Sequence, residues 1–345
     1  MDENTNFLRF DYDRRMGIEL ELLSFDKRNF KKHPLSKNEL PQGIEDLACV
    51  IADTSKKEVS VNKWHLTHNN DAWVLKPDSS CGIEICSPVL KGWAGLKHIL
   101  LNVNALRKHP KAMVDDRCGF HVHLDVSDIG LDVVCKVLAY WIKCEAVFLD
   151  SVSESRKCNR YCQSIGSAFF MSPDVWHGEK LLALVGESKY YTLNAYHLRR
   201  GNRSTIEFRI MEGLGCLDPF LIKNWVRLLV HFVECAIKLP SIKSYNPEDK
   251  WTGYSWLDPV DVFKILRFDE PLSPGLTETR NWFLSRLKHN ITCNLIGQFS
   301  VEARKPAALQ VDELIAKYNL SQEDLNRLLR PSDQEQKMCP EKNKT

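Results

Sequence analysis

A chain of 345 residues with 43% hydrophobic and 27% charged side chains can bury a sizeable core. Its formal net charge of +2 gives no electrostatic case for nucleic acid or a membrane surface as a partner. No apolar stretch reaches the ~20 residues of a membrane span, and the polar start Met1-Asp2-Glu3-Asn4 has no signal-peptide core, so a cytoplasmic location is expected. The twelve cysteines include no Cys-x-x-Cys pair. Several (Cys86, Cys135, Cys144, Cys235) sit inside apolar runs and read as free thiols; Cys158 and Cys162, four apart, are a weak zinc pair at best.

Residues 1–15 read as a polar lead-in. Met16 to Leu23 alternates as a strand does, with Ile18, Leu20 and Leu22 on one face and Glu19 and Glu21 on the other. The Lys-rich stretch 26–45, with Pro34, Pro41 and Gly43, reads as an excursion. A short helix or strand follows around Leu47 to Ala52. Ala72 to Leu75 and Gly82 to Ser87 are expected as strands joined by a turn at Pro77-Asp78-Ser79-Ser80, and in the second strand Ile83 and Ile85 alternate with Glu84 and Cys86. Leu90, Trp93, Leu96, Leu100, Val103 and Leu106 have helical spacing.

Cys118 to Asp125 is the next strand, with Phe120, Val122 and Leu124 behind and His121, His123 and Asp125 in front. Ser127 or Asp128 can cap a helix that runs to about Leu149. Residues 151–166 read as a polar loop and 173–185 as a short helix. Tyr190 to Tyr196 reads as a strand. A basic turn, Arg199-Arg200-Gly201-Asn202-Arg203, leads into the strand Ser204 to Ile210. There Ile206, Phe208 and Ile210 oppose Thr205, Glu207 and Arg209. Asp218-Pro219 starts a helix that Pro240 stops. Further helices are expected from Asp258-Pro259, at 276–289, 311–318 and 321–329.

Strands that alternate apolar with ionisable residues are not those of a parallel sheet covered on both faces. The expected fold class is therefore α+β: a mostly antiparallel, curved sheet with helices on its apolar back and a polar front open to ligands. Residues 1–240 are expected to form the catalytic core, 241–330 a helical C-terminal extension packed on it, and 331–345 a disordered tail.

The front-face groups are Glu19, Glu21, Glu84, His121, His123, Asp125, Glu207 and Arg209. Carboxylates gathered so densely repel unless cations neutralise them. A carboxylate-rich set with one or two imidazoles suits Mg²⁺ or Mn²⁺, and a metal beside an arginine suits phosphoryl chemistry. Glu-x-Glu alone is more often a solvated face, His-x-His alone is as often structural, and Glu207 with Arg209 could be a surface ion pair. The recurrence of one pattern in four strands favours a site. No glycine-rich phosphate loop and no Gly-x-Ser-x-Gly elbow is present. Two other readings stand beside a nucleotide-dependent enzyme: a metal-dependent hydrolase with His121 and His123 as ligands, and a catalytically inactive binding module.

In order along the chain, Glu19-Leu20-Glu21, Gly82-Ile83-Glu84-Ile85-Cys86-Ser87-Pro88, Gly119-Phe120-His121-Val122-His123 and Thr205-Ile206-Glu207-Phe208-Arg209 resemble the motifs of the amidoligase family, carboxylate–amine ligases related to glutamine synthetase and glutamate–cysteine ligase. The resemblance covers about residues 16–238 and implies a glutamine-synthetase-like catalytic domain. It implies ATP-dependent amide formation through an acyl phosphate, with a small-molecule or peptide carboxylate and an amine as substrates, and it admits a homo-oligomer. It also implies that Glu19, Glu21, Glu84, His121 and Glu207 hold Mg²⁺ (or Mn²⁺) across the ATP phosphates. Arg209 would neutralise the transferring phosphoryl group, His123 would contact ATP or substrate, and Arg200 and Arg203 would bind phosphate. Arg209, His123 and Glu207 are thus the expected catalytic residues.

Overall fold

The structure, a computed structural model, describes residues 12–23, 43–62, 71–157, 159–166, 178–242, 256–294 and 301–329. Two compact units are present. One holds Asp13–His123 and Met211–Lys223; the other holds Leu124–Ile210 and Asn224–Arg330.

The first unit contains β1 (Arg15–Leu23), α1 (Ile44–Ser55), β2 (Val59–Val61), β3 (Trp73–Asp78), β4 (Gly82–Cys86), β5 (Leu90–Lys91), α2 (Gly92–Lys108) and most of β6 (Gly119–Asp125). Its strands lie in the order β2-β3-β4-β1-β6, with β5 also against β1. β2 runs parallel to β3, while β3–β4, β4–β1 and β1–β5 are antiparallel. Side-chain alternation then sorts the sheet into two faces. Leu75, Ile85 and Leu20 are neighbours on the back and fully buried. The apolar stripes of α1 (Ile44, Leu47, Ile51) and α2 (Leu96, Ile99, Val103, Leu106) are likewise buried, and the two helices pack on each other.

The β3–β4 turn is made by Asp78. Its Oδ1 accepts the backbone N–H of Ser80 at 2.7 Å and of Cys81 at 3.1 Å, and Gly82 follows with φ 131°. The strand expected to end at Leu75 therefore continues to Asp78, because Pro77 sits within the ladder opposite Ile83 and the chain reverses only after it.

In the second unit lie α3 (Leu131–Asp150), α4 (Glu154–Lys157), α5 (Gly178–Val185), β7 (Leu193–Asn194), α6 (Tyr196–Arg199), most of β8 (Thr205–Glu212) and most of α7 (Pro219–Lys238). They are followed by α8 (Pro259–Ile265), α9 (Pro274–Asn294), α10 (Val301–Lys317) and α11 (Gln322–Leu329). β7 and β8 are antiparallel. An aromatic cluster fills the core behind β8: Trp141 meets Phe208 edge-on at 4.8 Å and Phe232 at 5.6 Å, and Phe148 meets Phe283 at 5.4 Å. Both helices expected after Pro residues form: Asp218 Oδ1 accepts from Phe220 N at the start of α7, and Asp258 Oδ1 from Asp261 N at the start of α8.

Three expectations shift. The strand read over Tyr190–Tyr196 shrinks to Leu193–Asn194, since Asn194 Oδ1 takes the N–H of Tyr196 and turns the chain into α6. Helix α3 starts after Gly130 rather than at Ser127 or Asp128, because Ser127 N and Oγ both bond to Asp125. The element around Leu47–Ala52 is a helix of 12 residues. The expectations for residues 1–11, 26–42 and 331–345, for Cys158, and for the 173–177 part of the helix expected over 173–185 fall outside the described residues. No helix among the described residues is long and apolar enough to cross a membrane. The cysteines among them are free thiols, all buried except Cys49.

Candidate active site

In the first unit the front face of the sheet gathers Glu19 and Glu21 from β1, Lys76 from β3, Glu84 and Cys86 from β4, and His121 and His123 from β6. Register dictates this. Glu84 lies opposite Glu21 on one side and Lys76 on the other, and Cys86 lies opposite Glu19. Directly opposed residues hold their Cβ atoms about 5 Å apart, close enough for their side chains to interact.

Glu19 bridges the two imidazoles, with Oε1 3.1 Å from His123 Nε2 and Oε2 3.3 Å from His121 Nδ1. His121 Nε2 is 3.6 Å from Glu21 Oε1, and Glu21 Oε2 accepts the N–H of Gly119 at 2.6 Å. Lys76 Nζ is 3.2 Å from Glu84 Oε1. The front is not the open surface expected of it: His121 is 2% exposed, Lys76 4%, and Glu21 and Glu84 9%. Held away from most of the solvent, these polar groups pair with one another.

Burial and electrostatics divide the carboxylates. Burial alone would push the Glu19 carboxyl up, but His123 and His121 outweigh it and hold it well below the usual range. Burial, reinforced by the charge of Glu19, pushes the Glu84 carboxyl well above its usual value, against the pull of Lys76. Burial and then Glu84 push the Cys86 thiol up as well. Ligand atoms of Glu19, Glu84 and Cys86 lie within 4.8 Å of one another. An excess of carboxylate oxygens with adjoining imidazole nitrogens fits a hard divalent cation such as Mg²⁺ or Mn²⁺, which would offset both the burial and the Glu19 charge that raise Glu84.

In the second unit the expected pair on β8 comes together: Arg209 Nη1 forms an ion pair with Glu207 Oε1. It is not a surface pair, since Glu207 is 6% exposed. Asn194, opposite Glu207 in the ladder, donates from Nδ2 to Glu207 Oε2 at 2.6 Å. The backbone of Arg209 is gripped on both sides, by Thr192 O accepting its N–H at 2.8 Å and by Arg156 Nη2 donating to its carbonyl at 2.7 Å. Arg200 is exposed, with its guanidinium 4.3 Å over the ring of Tyr196; Arg203 is partly exposed in the turn before β8. Asp125 takes bonds from Ser127 and Ser204, tying the end of β6 to the start of β8, and the carboxylate that His123 meets is Glu19.

Sequence reasoning missed Lys76, Asn194, Arg156 and Glu145. The alternation Trp73-Val74-Leu75-Lys76 carries the signal for Lys76, since Lys76 then shares a face with Val74 opposite the buried Trp73 and Leu75. Asn194 and Arg156 act through pairings that no local pattern reveals.

Among curated proteins none matches this chain. Of solved structures, a bifunctional glutathione synthetase from Pasteurella multocida matches with 12% identity and a TM-score of 0.40, over 98% of this chain and 52% of that one. The chain thus spans about half the length of that protein. A glutamate–cysteine ligase from Francisella tularensis in complex with AMP matches with 8% identity and a TM-score of 0.37, over 94% of this chain and 91% of that one. The family model described as "Putative amidoligase enzyme" matches residues 12–233, more than half of the chain and all four motifs. On that match the chain belongs to the amidoligase family.

Proposed function

We propose that this protein is an ATP-dependent carboxylate–amine ligase that makes an amide bond through an acyl phosphate. The observation that carries the reading is the row Glu19, Glu21, Glu84, His121 and His123 on one sheet face, with Glu21, Glu84 and His121 buried and Glu19 and His123 partly so, in a chain whose family is that of the amidoligases. So many acidic oxygens gathered out of water call for cations, and phosphate oxygens bring the matching negative charge.

In this reading Glu19, Glu21, Glu84, His121 and Glu207 hold Mg²⁺ (or Mn²⁺). When bound, the ion neutralises the ATP phosphates and polarises the γ-phosphoryl group. A substrate carboxylate oxygen attacks the γ-phosphorus, the β–γ P–O bond breaks, and ADP leaves. An amine nitrogen then attacks the acyl carbon, releasing phosphate and a proton and leaving the amide. Arg209, held in place by Glu207, Thr192 and Arg156, neutralises charge on the transferring group. His123, oriented by Glu19, contacts ATP or the carboxylate substrate. Arg200 and Arg203 bind phosphate at the rim. The substrates are a small-molecule or peptide carboxylate and an amine. A hydrolase that uses His121 and His123 as its main ligands fits less well, because the donors gathered around them are mainly carboxylate oxygens, which suit a hard cation better than zinc.

A screen of ATP turnover with amino acids and short peptides paired with amines tests the proposal. ADP and phosphate should appear only when ATP, a carboxylate and an amine are all present, and His121→Ala or Glu207→Ala should abolish the coupled turnover. Turnover that survives either substitution, or amide hydrolysis without nucleotide, would overturn it.

A further inference from the structure

We propose that Lys76 is the resident counter-cation of the carboxylate row, a positioning residue that holds Glu84 when no divalent ion is bound and that sets how tightly such an ion is taken up. This rests on the metal-dependent reading above. Lys76 stands in the interior of a sheet whose neighbouring β3 residues, Trp73, Val74 and Leu75, are apolar and at most 1% exposed. At 4% exposure its ammonium group does not reach out to solvent. An interior ammonium is costly unless a charge pairs with it, and the register supplies that charge: Lys76 faces Glu84 directly across the β3–β4 ladder, with Nζ 3.2 Å from Oε1.

The consequence is a competition. A cation coordinated by Glu84 must share or take over the oxygen that Lys76 holds. Fully ionised, Glu19, Glu21 and Glu84 carry three negative charges, of which Lys76 offsets one. A four-carbon stem lets the ammonium withdraw without disturbing the strand. The positive charge also opposes any incoming ion over a few ångströms in a site shielded from water. The row is therefore kept assembled without metal, at the expense of metal affinity.

Lys76→Met, matched in length but uncharged, and Lys76→Gln, which keeps a hydrogen-bond donor for Glu84, provide the test. Mn²⁺ binding to the full chain is measured without nucleotide, by the paramagnetic resonance of free Mn²⁺. Thermal melting is followed in EDTA and in Mn²⁺. Each folded variant should bind Mn²⁺ at least about tenfold more tightly than the wild type, melt lower in EDTA, and gain more from Mn²⁺. If the wild type binds Mn²⁺ but the folded variants bind it equally or less tightly, the role of Lys76 is overturned while the metal site stands. If neither wild type nor variant binds Mn²⁺, both fall together.

Discussion

Glu145 sits in the C-terminal half of α3, fully buried, and gathers four donors. Its Oε1 accepts the backbone N–H of Ile165 at 2.9 Å and the hydroxyl of Thr192; its Oε2 accepts the N–H of Gly166 at 2.9 Å and Ser164 Oγ at 2.6 Å. Thr192 in turn receives the N–H of Arg209, so one carboxylate anchors both the 164–166 segment and the stretch that supports Arg209.

Replacing Glu145 with Ala would strand two buried backbone donors at about 1–3 kcal/mol each and two hydroxyls at less. Relief from burying the charge offsets part of that, so a net loss of about 2–4 kcal/mol is expected. Urea denaturation measures the loss, and amide exchange at Ile165 and Gly166 should quicken in parallel. A loss below about 0.5 kcal/mol, the range of an ordinary surface change, with unchanged exchange would refute this account of α3. The pH dependence has a definite sign. Burial pushes the Glu145 carboxyl up despite its hydrogen bonds from Ser164, Thr192, Gly166 and Ile165. The folded protein thus favours the protonated form, and stability falls as pH rises from the unfolded value through the folded one. Glu145→Gln should remove that decline.

Two other predictions concern the first unit. Asp78 behaves in the opposite way: burial pushes its carboxyl up, but bonds from Ser80 and Cys81 outweigh that and hold it below its usual value. Its stabilisation is present above the unfolded value and lost as pH falls through the folded one. Asp78→Asn should therefore cost about 1–2 kcal/mol at neutral pH, with the gap to wild type closing in acid; a gap constant with pH would contradict the turn as described. On the histidine strand, His121→Ala should weaken the binding of Mn²⁺ to the chain, whereas His123→Ala should leave Mn²⁺ binding nearly unchanged and mainly weaken that of ATP or substrate; the reverse pattern in the two binding titrations would exchange their assigned roles.

Much of this was legible in the sequence because alternation is a strict constraint. Ile18, Leu20 and Leu22 could face the core only if Glu19 and Glu21 faced away, and the same logic placed His121 beside His123 and Glu207 beside Arg209. What local pattern did not carry was pairing. That Glu84 would lie between Glu21 and Lys76, or Asn194 against Glu207, depends on which strands become neighbours and in what register. Breaks in the pattern also misled. Pro77 reads as a turn residue yet sits in the ladder, and Asn194 reads as strand yet bends the chain two residues later. Nor did alternation say that the ionisable front would be buried, since enclosure comes from packing.

The most direct test of the acyl-phosphate route follows the oxygen. With the carboxylate substrate found by the turnover screen labelled with ¹⁸O in its carboxyl group, each phosphate released should carry one oxygen from that group, because the attacked phosphorus keeps it when the amine displaces it. Phosphate released with no label, while amide still forms, would contradict the account.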